Sequence, residues 1–504
     1  MHKNALKIRV YEHIDVVDPK IFGHFIEHLG RCIYPGIWVG KDSNIPNENG
    51  LRRDVIQAFK SIKAPIIRWP GGCFADAYHW EDGVGPVELR PRRANIWWGG
   101  EESNEFGTDE FIKLCRVVGA EPYICVNVGS GSPSEALAWL EYCNYVGNTK
   151  YARLRAENGH PEPYNVIYWG VGNENWGCGG SFDPVYYAWE YRRFATFLKQ
   201  ADPRIKLIVC GHISRDWNYR VMEALRDFIH LVDYLSIHYY FFRNQQRYGD
   251  DVKFTDEQYL NLLFDVQHLE YQIKQAIAVV DFFSEGRKDI GIAVDEWGVW
   301  HPQATNENGL YQQNTLRDAI LAASVLNLFI KYSRKVKIAN LAQAVNVLQS
   351  ICLTRGEKTI LTPTYHVFKM YSPHMGNVAV KVDVESPVIK EPTETDYPRP
   401  RRRLEPLRAL DASASISRDG QQLILTLVNQ SLDEDLDVEI SLDGNREICD
   451  GLLMILNASD VRAYNDFDAP ENVKVKEETL SVRGGSFTYR AEKHSVNTLI
   501  MKLK

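Results

Sequence analysis

Residues 167–180 read IYWGVGNENWGCGG. Ile167, Tyr168, Trp169 and Val171 have the apolar, aromatic and β-branched character of a strand buried on both faces. The run breaks into Asn173-Glu174-Asn175, with glycines at 172, 177, 179 and 180. A carboxylate between two amides at the tip of such a run is either a surface turn residue or chemistry held on a rigid strand.

Seven similar runs decide the architecture. They are 21–30, 65–72, 122–129, 206–211, 232–240, 290–298 and 339–353, and with 165–174 they make eight. Helical patterns lie between them, among them 52–62, 109–119 and 315–332. In SPSEALAWLEYCNYVG, Ser132 is an N-cap, Pro133 fills the first turn and Glu135 is expected to complete a capping box. Eight strand–helix repeats predict an α/β fold of the (β/α)8 TIM barrel type.

The texture changes after about residue 385. Residues 388–406, rich in proline and charge, read as a loop, with Arg399 to Arg403 a solvated cluster rather than a phosphate site. Alternating stretches follow, such as QQLILTLVNQS and LDVEISLDG, and predict a C-terminal β-sandwich, jelly-roll-like. The alternating segment NALKIRVYEHIDV is expected to pair with that sheet. The expected division is therefore residues 1–17 with the sandwich, 18–385 as the barrel and 386–504 as the sandwich itself.

Bulk properties exclude several classes. A chain of 504 residues suits a barrel plus an accessory domain. Its net charge of −8 leaves no basic excess to neutralise phosphates, which argues against nucleic acid as a partner. The N-terminus has no apolar core of a signal peptide, and no run of 18 apolar residues predicts a membrane span. The nine cysteines are odd in number and scattered without a C-x-x-C, and Cys125, Cys210 and Cys352 sit in apolar runs. That usage predicts free thiols in a reducing compartment, the cytoplasm.

In an eight-stranded barrel, active residues sit at the C-terminal ends of strands. There the sequence places Glu27 and His28, Arg68 to Gly72, Asn173 to Asn175, His238 to Tyr240, Asp295 to Gly298, and Asn346 and Gln349. Glu174 and Glu296 stand out: each directly follows an apolar run and precedes aromatic and glycine residues. One such glutamate is commonly a loop residue. Two in matched contexts suggest a pair in which one donates a proton to a leaving oxygen and the other attacks a sugar carbon.

The motifs IFGHFIEHLGRCIYPGIW, RWPGGCFADAYHWEDGVGP, WGVGNENWGCGG and DEWGVWHP resemble, in order and over nearly the whole chain, glycoside hydrolase family 51, the intracellular α-L-arabinofuranosidases. The resemblance implies that Glu174 is the general acid/base and Glu296 the nucleophile. It implies that Glu27, Arg68 and Asn173 bind the furanose or orient the carboxylates, and that Tyr240 of the His238-x-Tyr240 pattern bonds the nucleophile. Cys73 stands where many members have Asn and a second set has Cys. Trp98, Trp176 and Trp300 are candidate sugar platforms or, equally, lid aromatics, and Gln349 is a further substrate-binding candidate. The implied reaction is a retaining double displacement that removes terminal arabinofuranosyl residues from arabinoxylo- or arabino-oligosaccharides, with the carboxyl groups roughly 5–5.5 Å apart. It needs no metal or cofactor. A homo-oligomer, a hexamer, is also implied.

Two rival readings compete. His24-Phe25-Ile26-Glu27-His28 fits the H-x-x-E-H pattern of zinc peptidases, which requires a helix, whereas Gly30, Pro35 and Gly36 follow closely here. A carbohydrate-binding protein without activity is the second, and it has no use for paired glutamates.

Overall fold

The computed structural model describes residues 4–396, 404–444 and 446–504; the arginine cluster 399–403 lies outside the described residues. The first strand, β1 (Ala5–Val16), precedes eight short strands that close into a parallel barrel: β2 (Gly23–Phe25), β3 (Ile66–Trp69), β4 (Glu121–Val126), β5 (Tyr168–Val171), β6 (Lys206–Val209), β7 (Tyr234–Phe242), β8 (Gly291–Trp300) and β9 (Val336–Ala342). Each expected run supplies one stave. The last differs in extent: β9 begins at Val336 and stops at Ala342, and residues 343–351 are buried loop. The apolar run continues past the strand because that loop is buried too, so hydrophobicity alone could not mark the end.

Helices Arg53–Ser61, Thr108–Val118 and Leu316–Lys331 lie where the sequence pattern put them. The Ser132 hydroxyl caps Pro133–Asn144 by accepting from the Glu135 amide at 3.2 Å. The reciprocal half of the expected capping box is not made, because the Glu135 carboxylate is instead 2.9 Å from Nδ1 of His79. Among the described residues, no helix is long and apolar enough to cross a membrane.

Eight further strands, β10 (Val378–Glu385), β11 (Leu410–Ile416), β12 (Gln422–Asn429), β13 (Leu436–Leu442), β14 (Ile448–Asn457), β15 (Lys474–Leu480), β16 (Ser486–Ala491) and β17 (Ser495–Leu503), join β1 in a nine-stranded sheet. Its order is β15-β14-β17-β12-β11-β10-β1-β13-β16. Thus β1 runs antiparallel to β10 and parallel to β13. Residues 378–385, assigned to the barrel by sequence, run in this sheet. One face buries Leu6, Ile8, Leu423, Leu425, Val438, Leu499 and Met501 in a core of its own. The other face meets the barrel through the helix Leu316–Lys331, where Asn327 accepts from the hydroxyls of Ser413 and Thr426. The alternation of strand side chains is what serves two cores from one sheet.

Candidate active site

The C-terminal ends of the barrel strands surround a cavity of about 430 Å³. Its wall includes Glu27, Cys73, Trp98, Asn173, Glu174, Trp176, His238, Tyr240, Glu296 and Trp300. Most of the side chains singled out in the sequence, from five of the barrel strands and the loops that follow them, therefore converge on one space.

Glu296 is buried within β8, four residues before its end, where Arg68 Nη1 donates to Oε1 at 2.7 Å and the Tyr240 hydroxyl to Oε2 at 2.8 Å. Arg68 lies behind the wall, its guanidinium 4.7 Å from the centroid of Phe25 and 5.7 Å from that of Tyr123. Its Nη2 donates to Oδ1 of Asn173 at 2.6 Å. A buried charge is tolerated when paired and hydrogen-bonded, and Arg68 is both. Although burial works against the cation, Asp295 and Glu296 hold Arg68 well above the usual guanidinium range.

Glu174 follows β5 through a sharp turn. Gly172 has φ +82°, and the Cβ of any other residue there would lie 2.1 Å from Oδ1 of Asn175. Glu174 itself has φ +43°, a conformation that costs a non-glycine residue about 1–3 kcal/mol and recurs at functional sites. Its Oε1 is 2.9 Å from Nδ1 of His238. An oxygen of Glu174, an oxygen of Glu296 and a ring nitrogen of His238 all lie within 4.8 Å of one another.

Glu27 is held by the Phe74 amide at 3.1 Å, Trp98 Nε1 at 2.9 Å and Gln343 Nε2 at 2.9 Å. Burial, helped by the charge of Glu296, outweighs those donors and pushes Glu27 up to about 7. A Cβ on Gly72 would stand 3.0 Å from Oε1 of Glu296, so the second glycine of the RWPGG stretch leaves room for the carboxylate. Trp176 bonds Gly211 O at 3.1 Å, and Trp300 bonds Ala304 O at 2.9 Å, which fixes both rings at the rim.

Two expectations are corrected. Gln349 does not reach the cavity; it is fully buried, accepting from the Val299 amide at 3.0 Å and donating to Asp318 O at 2.8 Å. The glutamine that does line the wall is Gln343, one residue beyond the end of β9. Cys73 is not a free thiol: it is bonded to Cys178, joining the loops after β3 and β5 beside the cavity that Cys73 lines. Sγ of Cys178 lies 3.7 Å from Oε2 of Glu174. The other seven cysteines are free and six of them are buried, so the expectation of reduced thiols fails for this pair alone. Two cysteines, each among glycines at a strand tip, were the available signal. Sequence reasoning also missed His212, Ile213, Phe242 and Leu310, which line the mouth.

The zinc-peptidase pattern does not assemble. His24 lies in β2, not a helix, and both its ring nitrogens are buried without a partner. His28 meets Glu102 through Nδ1 at 2.8 Å and accepts from Trp69 Nε1 at 3.0 Å on the other edge.

Comparison with known proteins shows the family. The alpha-L-arabinofuranosidase 1 domain family matches residues 58–259, and the alpha-L-arabinofuranosidase C-terminal domain family matches residues 295–495. The chain is 40% identical over 466 residues to an intracellular exo-alpha-L-arabinofuranosidase of Bacteroides ovatus, covering 91% of this chain and 88% of that one. Its fold superposes on the crystal structure of a glycoside hydrolase family 51 arabinofuranosidase from Xanthomonas axonopodis pv. citri with a TM-score of 0.92, at 35% identity, over 99% of this chain and all (100%) of that one. An arabinose complex of the Thermotoga maritima alpha-L-arabinofuranosidase gives a TM-score of 0.89 at 38% identity, over 99% of this chain and 100% of the other.

Proposed function

Because the chain belongs to the α-L-arabinofuranosidases of glycoside hydrolase family 51, we propose that it removes terminal, non-reducing α-L-arabinofuranosyl residues from arabinoxylo- or arabino-oligosaccharides with retention of configuration. The observation that carries the mechanism is the facing pair. An oxygen of Glu174 within 4.8 Å of an oxygen of Glu296 supports the close spacing of retaining enzymes, roughly 5–5.5 Å between carboxyl groups, over the wider gap of inverting ones.

In this reading Glu296, ionised beside Arg68, attacks the anomeric carbon, and Glu174 gives its proton to the leaving oxygen. A water that Glu174 deprotonates then displaces Glu296 from the sugar. Asn173 and Glu27 offer amide and carboxyl groups to the sugar hydroxyls, and the unpartnered Oε1 of Gln343 is a further acceptor. Trp98, Trp176 and Trp300 wall the space around it. Oligosaccharide substrates fit a cytoplasmic enzyme, a placement supported by the intracellular Bacteroides ovatus relative. A homo-oligomer, in the form of a hexamer, belongs to the same proposal; the exposed aromatics Trp189 and Phe197 on the helix Pro184–Ala201 offer it a contact face, and light scattering tests it.

Turnover of an aryl α-L-arabinofuranoside tests the enzymatic roles. Glu296→Ala should abolish it, with azide restoring part of the rate as a glycosyl azide. Wild-type protein that hydrolyses no aryl furanoside would sink the proposal.

A further inference from the structure

Strands β7 and β8 pair from Tyr234 opposite Gly291 to Ser236 opposite Ala293, and again from His238 opposite Glu296. Between those pairs Ile237 alone faces two residues, Val294 and Asp295. The extra residue is a β-bulge, a device that re-aims side chains near active sites. Neighbouring strand residues normally point to opposite faces. Here Asp295 and Glu296 both reach the ring of His238: Oδ1 of Asp295 is 3.3 Å from Nε2, and Oε2 of Glu296 is 3.5 Å from Nδ1. Glu174 Oε1 is 2.9 Å from the same Nδ1.

We propose that Asp295 is a positioning residue of the reaction, gripping the Nε2 edge of His238 from the bulge so that the Nδ1 edge faces Glu174 and Glu296. The inference rests on the retaining reading above. Asp295 does not line the cavity and is 1% exposed, so it acts through the histidine. It is fixed in turn by the Tyr123 hydroxyl at 2.6 Å, by the Ser236 hydroxyl, and by Arg68 Nε 3.7 Å away.

Ionised Asp295 at Nε2 and ionised Glu296 near Nδ1 put a negative charge at each edge of the ring and so favour a proton on both nitrogens, while Glu174, protonated in the resting state, accepts from Nδ1 through its carbonyl oxygen. The groups around it are Glu174 at the end of β5, Asp295 and Glu296 on β8, Tyr240 on its own strand, with Arg68 on β3 and His212 after β6 opposing. Burial works against the cation, yet Glu296, Asp295 and Glu174 together raise His238 to about 10. Although burial works the other way, Arg68 and the bonds from His238 and Ser236 hold Asp295 down to about 2. The use of Asp295 appears in the second half of the reaction. Once Glu296 is esterified its charge is gone, and His238 has lost one partner. Asp295 reacts with nothing, so it keeps the imidazolium charged and oriented while Glu174 turns from acid to base.

The test is titration of the full-length enzyme labelled with 15N-histidine, with the His238 signals identified by their loss in His238→Asn. Both ring nitrogens of His238 should stay protonated from pH 5 to about pH 9, consistent with a strongly raised imidazole. In Asp295→Asn the amide still accepts from Nε2 but carries no charge. His238 should then titrate within that window, kcat should fall roughly ten- to a hundredfold with little change in KM, and the alkaline limb should move down by about one pH unit. Ser236→Ala, which leaves the carboxylate, should leave the pH profile in place. A neutral His238 at pH 7 in the wild-type enzyme overturns the proposal, as does an Asp295→Asn profile superimposable on the wild type or a Ser236→Ala profile displaced equally. The wild-type titration decides the matter even if Asp295→Asn does not fold. Failure of the retaining reading would show separately, as no glycosyl adduct on Glu296.

Discussion

Arg68 and Glu296 meet at 2.7 Å, and the same guanidinium reaches Asn173, the neighbour of Glu174, at 2.6 Å. One planar side chain thus sets Glu296, the proposed nucleophile, and the strand tip that carries Glu174, the proposed acid/base, in a common frame. Lysine keeps the charge but cannot span both partners. Arg68→Lys should lower kcat by roughly ten- to a hundredfold for each lost charged bond. An unchanged kcat on an aryl arabinofuranoside would show that the bridge has no part in the chemistry.

Tyr240 donates to the other oxygen of Glu296 at 2.8 Å. Removing the hydroxyl while keeping the ring isolates that bond. Tyr240→Phe should cost about 1.5–3 kcal/mol of transition-state stabilisation, roughly ten- to a hundredfold in kcat, with the thermal midpoint little altered. A drop in midpoint without a drop in rate would mean a packing role.

His24 stands among Phe59 and Phe368 with no hydrogen bond, and burial lowers it to about 3. The unfolded chain binds a proton there near pH 6.5, whereas the native state refuses it. Stability is therefore complete above pH 6.5 and falls as the pH drops toward 3, by about 1.4 kcal/mol for each unit. His374 is likewise lowered to about 3 by burial and adds to the slope. His24→Phe should flatten the fall of the melting temperature between pH 7 and pH 5. An unaltered slope would place the acid sensitivity elsewhere.

The disulfide can be counted. Alkylation of the denatured, unreduced protein should label seven thiols, and prior reduction should raise the number to nine by intact mass. Nine without reduction would mean that Cys73 and Cys178 are free thiols.

Chelation separates the hydrolytic reading from a metal one. Donor atoms of Glu174, His238 and Glu296 are close enough to hold an ion, so the test bears on these three residues as well as on His24 and His28. Activity should survive prolonged dialysis against EDTA; a loss restored by zinc would refute the two-carboxylate mechanism.

The barrel was legible because parallel strands buried on both faces leave continuous apolar runs, and eight such runs admit few arrangements. Glu174 and Glu296 were legible because a carboxylate directly after such a run is costly without a task. Gln343 and Gln349 show where this stops. Both follow the last stave in one apolar stretch, and only the point where the strand ends decides which amide faces the cavity. Asp295 was visible beside Glu296, but strict alternation would have turned it outward; the bulge that brings it in depends on pairing with β7. The Cys73–Cys178 bond, across 105 residues, depends on two loops meeting and leaves no local pattern.

The place of β1 has a consequence for synthesis. Residues 5–16 leave the ribosome long before their partners, β10 at Val378–Glu385 and β13 at Leu436–Leu442. At about 5–20 residues per second, translation takes tens of seconds to deliver the first of these. For that interval the barrel staves emerge while an alternating, pairing-competent strand waits with open edges. The nascent chain must therefore wait for β10 and β13 before it can close the sheet around Ala5–Val16, and any factor that shields nascent chains has a long duty there.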